Sequence, residues 1–309
     1  MRRTDARDRD VGHPLFTSRS ACALKLTPVQ RLLTVFAALV CFGVWFGPPA
    51  SASLGVDTGG VLAFGGLDRT YQLHVPAGVG HPAGLVINLH GAGMTGASQA
   101  SATHYNAIAD RYGFAVVYPD GIDMSWADGR GASVPDRQGV DDVGFLVALV
   151  DRLTHDYGIP PGRVFATGMS AGGFMATRLA CDRADVVAAI APVSGTLGAG
   201  TRCTPSRPVS VLETHGTGDP VVPYDGGGMI GRGGPSSIEA AQTMVNGWRN
   251  VDACPGAPVE GVVGGVHRLT SAGCADGTEV VLVRIDGGGH VWPGDASAAS
   301  GEFFAAHGR

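Results

Sequence analysis

The 309-residue sequence contains one lysine, Lys25, and none beyond it. A Schiff base or a Ser-Lys pair needs a side-chain amine, so both chemistries are closed to the rest of the chain. Charged residues are scarce, 16% against 44% hydrophobic, which excludes a disordered polyelectrolyte. Only one long apolar run is present, Leu32 to Phe46, so a bundle of membrane spans is excluded as well. No Cys-x-x-Cys pair occurs, which leaves a zinc site without its usual anchor.

The apolar run follows Arg31 and leads into Gly47, Pro48 and Pro49, then Ala50, Ser51 and Ala52. A cation, an apolar stretch and small residues in that order read as a secretory signal peptide over residues 1–52. A spanning helix needs about 20 apolar residues, and this stretch is shorter and interrupted by Gly43. Cys41 lies inside the run behind Val40, a poor place for a lipoprotein anchor. The expected mature chain, residues 53–309, is secreted, has no stable membrane span and is the size of one large hydrophobic core. It carries 15 arginines against 24 Asp and Glu, a net charge of −9. Nucleic-acid backbones and anionic membrane faces would repel it.

Cys181, Cys203, Cys254 and Cys274 remain after the signal peptide, and an oxidising compartment pairs such cysteines. Three pairings exist. Closeness in sequence favours Cys181 with Cys203 and Cys254 with Cys274, each closing a loop worth about 3 kcal/mol in the chain-entropy model.

Short apolar runs alternate with longer helical stretches. The pattern predicts strands over 85–89, 114–118, 164–167, 186–193, 209–214 and 279–285, with helices over 98–112, 143–157, 174–182 and 238–250. Val86 to Leu89 and Val186 to Ile190 are apolar on both faces, so helices must cover both sides of the sheet. Tyr71, Leu73 and Val75 alternate with Gln72 and His74, as in a half-exposed antiparallel strand. The predicted fold is α/β: a mostly parallel, doubly wound sheet in a single domain.

Gly168-Met169-Ser170-Ala171-Gly172 matches the G-x-S-x-G nucleophile elbow. With 49 glycines in the chain, chance alone supplies roughly 0.4 such matches, so context decides. A strand runs into this one and a helix leaves it, the setting in which a tight turn lifts the serine hydroxyl clear of the sheet. The helix start adds unpaired N–H groups beside the serine, which favour developing negative charge.

A serine needs a base, and in this architecture the order is serine, acid, histidine. His215, His267, His290 and His307 follow Ser170. His290 is favoured, because it comes after a strand and the turn Asp286-Gly287-Gly288-Gly289, at the sheet edge. Asp219 is the favoured acid, placed after a strand and the loop His215-Gly216-Thr217-Gly218, where ligands gather in open α/β sheets. Asp225 and Asp286 compete with it. His90-Gly91-Ala92-Gly93 follows another strand and matches an oxyanion loop, so Ala92 and Ala171 are the expected backbone donors. Trp292 and Tyr224 are candidates for a substrate pocket wall.

Four strings, Leu89-His90-Gly91, Gly168 to Gly172, His215 to Asp219 and Gly287 to Gly294, resemble those of the secreted polyhydroxybutyrate depolymerase and feruloyl esterase family of α/β-hydrolases. The resemblance spans roughly residues 60 to 294 and implies ester hydrolysis by a serine triad, with no cofactor or metal. Its triad positions fall on Ser170, Asp219 and His290. The segment after His290 is shorter than the family's usual connection to a closing helix, here Ala296 to His307. No appended binding module follows, so soluble or oligomeric esters are the expected substrates: hydroxyalkanoate oligomers, or feruloyl or acetyl esters of plant polysaccharide. An acyltransferase or peptidase would use the same triad, and a carbohydrate- or lipid-binding protein could keep the fold without turnover.

Overall fold

Strands whose residues are buried almost without interruption must lie at the centre of a sheet covered on both faces. The computed structural model, which describes residues 55–309, places five such strands there: β3 (Gly84–Leu89), β4 (Phe114–Pro119), β5 (Val164–Met169), β6 (Ala189–Val193) and β7 (Ser210–Gly216). The expected signal peptide lies outside the described residues.

With β12 (Val280–Ile285) the central strands run parallel in the order β4-β3-β5-β6-β7-β12. Antiparallel pairs flank them. β1 (Val56–Phe64) and β2 (Leu67–Val75) extend the β4 side, and β11 (Val266–Ser271) and β10 (Val259–Val263) extend the β12 side, giving ten strands. A separate hairpin, β8 (Gly227–Gly231) and β9 (Gly234–Ile238), stands outside the sheet. This is the α/β-hydrolase architecture in a single domain.

Alternation along the central strands sends side chains to two cores. Leu85, Ile87 and Leu89 of β3 face one core with Phe145, Leu149 and Leu153 of α4 (Asp142–Tyr157), Met175 and Leu179 of α5 (Ala171–Asp182), and Val245 and Trp248 of α6 (Ala241–Val251). Val86 faces the other with Phe165, Tyr105 of α2 (Tyr105–Tyr112) and Phe304 of α7 (Ala296–Ala306). Each fully buried side chain of this size is worth about 1.5–3 kcal/mol, so both layers are firmly docked.

Both expected disulfides form, Cys181–Cys203 and Cys254–Cys274. No helix among the described residues is long and apolar enough to cross a membrane.

Some elements differ from the sequence pattern. The helix expected over 98–112 is two helices, α1 (Gly96–Thr103) and α2, broken at His104 with φ 48°. The break has a cause. Gln99 and Thr103 of α1 turn inward to hydrogen-bond Asn88 of β3, whereas α2 buries Tyr105 and Ala109. The strand expected from Val186 starts at Ala189, because the N–H groups of Val186 and Val187 bond Arg183 O in the turn after α5. Ile238 pairs with Gly227 in the outer hairpin rather than starting α6.

Candidate active site

The chain steps from β3 out to β4 and back to β5 on the other side of β3, so a crevice opens at the carboxyl ends of β3 and β5. Leu89 and Gly168 are paired in register across these strands. His90-Gly91-Ala92 and Met169-Ser170-Ala171 therefore emerge side by side.

Ser170 sits at the turn with φ 55° and ψ −119°, a conformation that costs a non-glycine residue about 1–3 kcal/mol. Neighbours hold it there. Its N–H bonds Val193 O at 2.9 Å, and its C=O accepts from Phe174 N–H at 2.9 Å. A Cβ on Gly172 would lie 2.0 Å from Leu89 O, and one on Gly168 2.6 Å from the same atom. Only glycine at both positions lets α5 start this close to β3. Ser170 precedes α5 without capping it through its side chain, so the hydroxyl is not spent on the helix.

The loop after β3 is held by His90, which is completely buried. Its Nε2 accepts from Gly121 N–H at 2.9 Å, so Nδ1 carries the proton and donates to Gly91 O at 2.8 Å. Burial pulls the His90 pKa below its ordinary value, which keeps the ring neutral in this role. Trp126 Nε1–H donates to His90 O at 2.9 Å. Within the loop, Gly93 N–H and Met94 N–H are taken by Met124 O and Gly91 O. Ala92 N–H has no acceptor among the described residues, and neither has Ala171 N–H, at the first position of α5.

A second pair of loops emerges where Gly216 of β7 lies in register with Ile285 of β12. They are stitched together: Thr217 N–H bonds Ile285 O and Gly218 N–H bonds Gly288 O, both at 2.9 Å, and Gly287 N–H reaches Thr217 Oγ1 at 2.8 Å. A Cβ on Gly216 would lie 2.2 Å from Gly288 O, so glycine is required for this approach. The result brings Asp219 and His290 together, with Nδ1 2.8 Å from Asp219 Oδ2.

Asp219 Oδ1 accepts from Val221 N–H and Val222 N–H, each at 2.8 Å. Burial pushes this carboxyl up, but the bond from His290 and the two backbone donors outweigh it and hold the pKa below the usual carboxylate range. Asp219 is therefore an anion at neutral pH. Behind it lies a buried pair: His215 Nδ1 is 2.9 Å from Glu213 Oε1, and His215 Nε2–H donates to Val222 O at 2.9 Å. Burial pushes the Glu213 carboxyl up to about 7, against the opposing pull of His215.

The competing candidates are accounted for by these contacts. Both ring nitrogens of His215 are engaged inside the protein. His267 lies between Glu260 at 2.7 Å and Asp286 at 3.0 Å on the outer strands, so Asp286 serves that histidine rather than the turn before His290. His307 Nδ1 bonds Phe303 O at 2.8 Å. Asp225 is exposed.

Ser170, Ala171, Ala92 and His290 line one cavity of about 250 Å³. Among the described residues no hydrogen bond joins Ser170 Oγ to His290. The expected pocket residues do not line this cavity, which corrects that reading. Trp292 Nε1–H donates to Ser297 Oγ at 3.0 Å at the start of α7, and Tyr224 packs edge-on against His215. The walls come instead from Ser125, Arg130 and Ala132 and from the outer hairpin. Arg69 and Asp142 position the first wall: their buried ion pair spans 2.7 Å, and Asp142 Oδ2 accepts from Ala127 N–H at 2.7 Å. The sequence marks none of these residues by motif.

Residues 69–230 match the family model described as Esterase PHB depolymerase. NocK of Nocardia uniformis subsp. tsuyamanensis, described provisionally as an esterase, is 32% identical over 91% of this chain and 82% of its own length. Feruloyl esterase B of Piromyces equi is 33% identical over 67% of this chain, which spans 39% of that protein. Among solved structures, the acetyl xylan esterase from Aspergillus awamori is similar in fold, with a TM-score of 0.60 and 16% identity over 80% of this chain and 98% of that one.

Proposed function

Because the chain belongs to the PHB-depolymerase esterase family and is a carboxylic ester hydrolase, we propose that it works through a Ser170–His290–Asp219 triad and an acyl-enzyme. Ser170 Oγ attacks the ester carbonyl while its proton passes to His290 Nε2. The carbonyl oxygen becomes an oxyanion, bound by Ala92 N–H and Ala171 N–H, each worth about 3 kcal/mol in the transition state. Collapse of the intermediate breaks the bond to the alcohol, which leaves with the proton from His290. Water then attacks the acyl-enzyme by the same route, and Ser170 recovers its proton.

The observation that carries this reading is the 2.8 Å contact between His290 Nδ1 and the ionised Asp219. It puts the proton on Nδ1, leaves Nε2 free to accept, and stabilises the imidazolium formed during attack. The strain at Ser170 and the free N–H groups of Ala92 and Ala171 support the same assignment.

We also read residues 1–52 as a removed signal peptide and the protein as secreted, a reading that the two disulfides support. The substrate classes that fit are hydroxyalkanoate oligomers and feruloyl or acetyl esters of plant polysaccharide.

The test compares purified wild type with Ser170→Ala on p-nitrophenyl butyrate, with fluorophosphonate labelling in parallel. The expected result is loss of about 10³-fold or more in kcat and complete loss of labelling. Equal turnover by the two proteins would overturn the assignment. A panel of hydroxybutyrate oligomers, feruloylated sugars and acetylated xylan oligomers then assigns the acyl group.

A further inference from the structure

The cavity beside Ser170 is electrically unlike the rest of the protein. Residues 53–309 hold 24 acidic side chains, yet no carboxylate is among the residues lining the cavity, while two arginines are, Arg130 and Arg232.

Arg130 is fixed and almost wholly buried, its side chain 7% exposed. Nε and Nη2 donate to Asp128 Oδ1 at 2.9 Å and Oδ2 at 2.6 Å, and the guanidinium lies 3.9 Å over the Phe174 ring. Its third nitrogen, Nη1, meets only the Met229 sulfur, at 3.5 Å. A thioether is a weak acceptor. Among the described residues this nitrogen has no oxygen partner, and both Arg130 and Met229 line the space next to the nucleophile.

Arg232 is the movable partner, on the glycine-rich turn between β8 and β9. Its Nη1 lies 3.6 Å from the position a Cβ would take on Gly93, beside Ala92. Its only ion pair among the described residues is with Asp123, at 3.3 Å, between half-exposed groups. Such a pair is weak and screened, so an anion in the cavity competes with it readily.

We propose that the ester this cavity selects carries an anionic carboxylate on the group seated against Arg130 and Arg232; the proposal rests on the serine-esterase reading above. Two guanidiniums suit a carboxylate, which can accept from both, and give a neutral chain nothing in return for displacing their water. Among the candidate classes, this favours a hydroxyacid oligomer with a free carboxyl end over a neutral feruloyl or acetyl ester.

The experiment uses 3-(butanoyloxy)butanoate, which is anionic on the alcohol side of its ester bond, and 3-(butanoyloxy)butanamide, its neutral isostere, with release of butanoate followed by chromatography. Rates are corrected with Ser170→Ala. In wild type at low salt the ratio of kcat/KM, anionic to neutral, is expected to be about 10 or more, the yield of one charge-assisted hydrogen bond. It should shrink in 0.5 M salt, and Arg232→Gln should reduce it by about tenfold. A wild-type ratio at or below one overturns the proposal without any variant. So does an unchanged ratio in Arg232→Gln, which would place the guanidinium in service of the oxyanion common to both esters. If neither ester is hydrolysed above Ser170→Ala, the serine-esterase reading fails and this proposal with it.

Discussion

Replacing Asp219 with asparagine changes one atom, and the contacts around that side chain dictate the response. Oδ1 accepts two backbone N–H groups at 2.8 Å, from Val221 and Val222. Only an oxygen can fill that position, so in Asp219→Asn the amide oxygen takes it. The NH₂ group must then face His290 Nδ1, where it donates instead of accepting. The imidazole adjusts by carrying its proton on Nε2, the nitrogen that should receive the proton from Ser170. A base presented in the wrong tautomer, with no carboxylate to stabilise its charged form, costs about 10⁴ in kcat, or about 5.4 kcal/mol of barrier. The protein should remain folded, because both bonds to Oδ1 survive, and KM should move little, because Asp219 does not line the cavity. Steady-state kinetics on p-nitrophenyl butyrate at pH 7.5, with circular dichroism as the fold control, measures this. Retention of more than about a tenth of wild-type kcat by a folded Asp219→Asn would refute the tautomer argument.

Gly172→Ala should destabilise the protein by about 1–3 kcal/mol and distort the elbow, since its Cβ would meet Leu89 O at 2.0 Å; a lowered urea midpoint with reduced kcat checks it. Removing the Cys254–Cys274 bridge as a double alanine variant should cost about 3 kcal/mol, read as a drop in Tm of several degrees. Burial pushes the Asp252 carboxyl up to about 6, against the N–H of Val209 and the side chain of Thr278. Its folded pKa thus lies above the unfolded value of about 3.9, so its contribution is fully present below that value and is lost as pH rises through 6. Urea midpoints of wild type should therefore fall relative to Asp252→Asn between pH 4 and pH 7, and parallel curves would contradict the assignment.

The central strands and the positions of Ser170, Asp219 and His290 were legible because the information is local. Doubly apolar runs end in glycine, and a side chain just past the end of a parallel strand has one edge on which to emerge. Register then does the assembling, through Leu89 beside Gly168 and Gly216 beside Ile285. The cavity walls were not legible for an equally physical reason. β8 contains three glycines and β9 reads Gly-Pro-Ser-Ser-Ile, so neither strand of the hairpin carries an apolar period. Trp292 and Tyr224 were expected in the pocket because they come soon after His290 and Asp219 in sequence. Nearness along the chain does not fix side-chain direction, and each is used in packing. Arg130 escapes notice because its place in the cavity depends on Phe174 and Met229, far away in sequence, and the pinning of the oxyanion loop by the His90 ring depends on Gly121 and on burial.

The outer hairpin is anchored to the domain by a small apolar cluster, Met229 and Ile238 against Phe174 and Val222, while its glycine-rich tip supplies Ile230 to Gly233 to the cavity. On the proposed reading, bond cleavage and choice of substrate reside in separable stretches of chain. Mutation could lengthen, shorten or recharge the tip without disturbing the strands that align the reacting groups, so relatives with the same engine are free to diverge in diet.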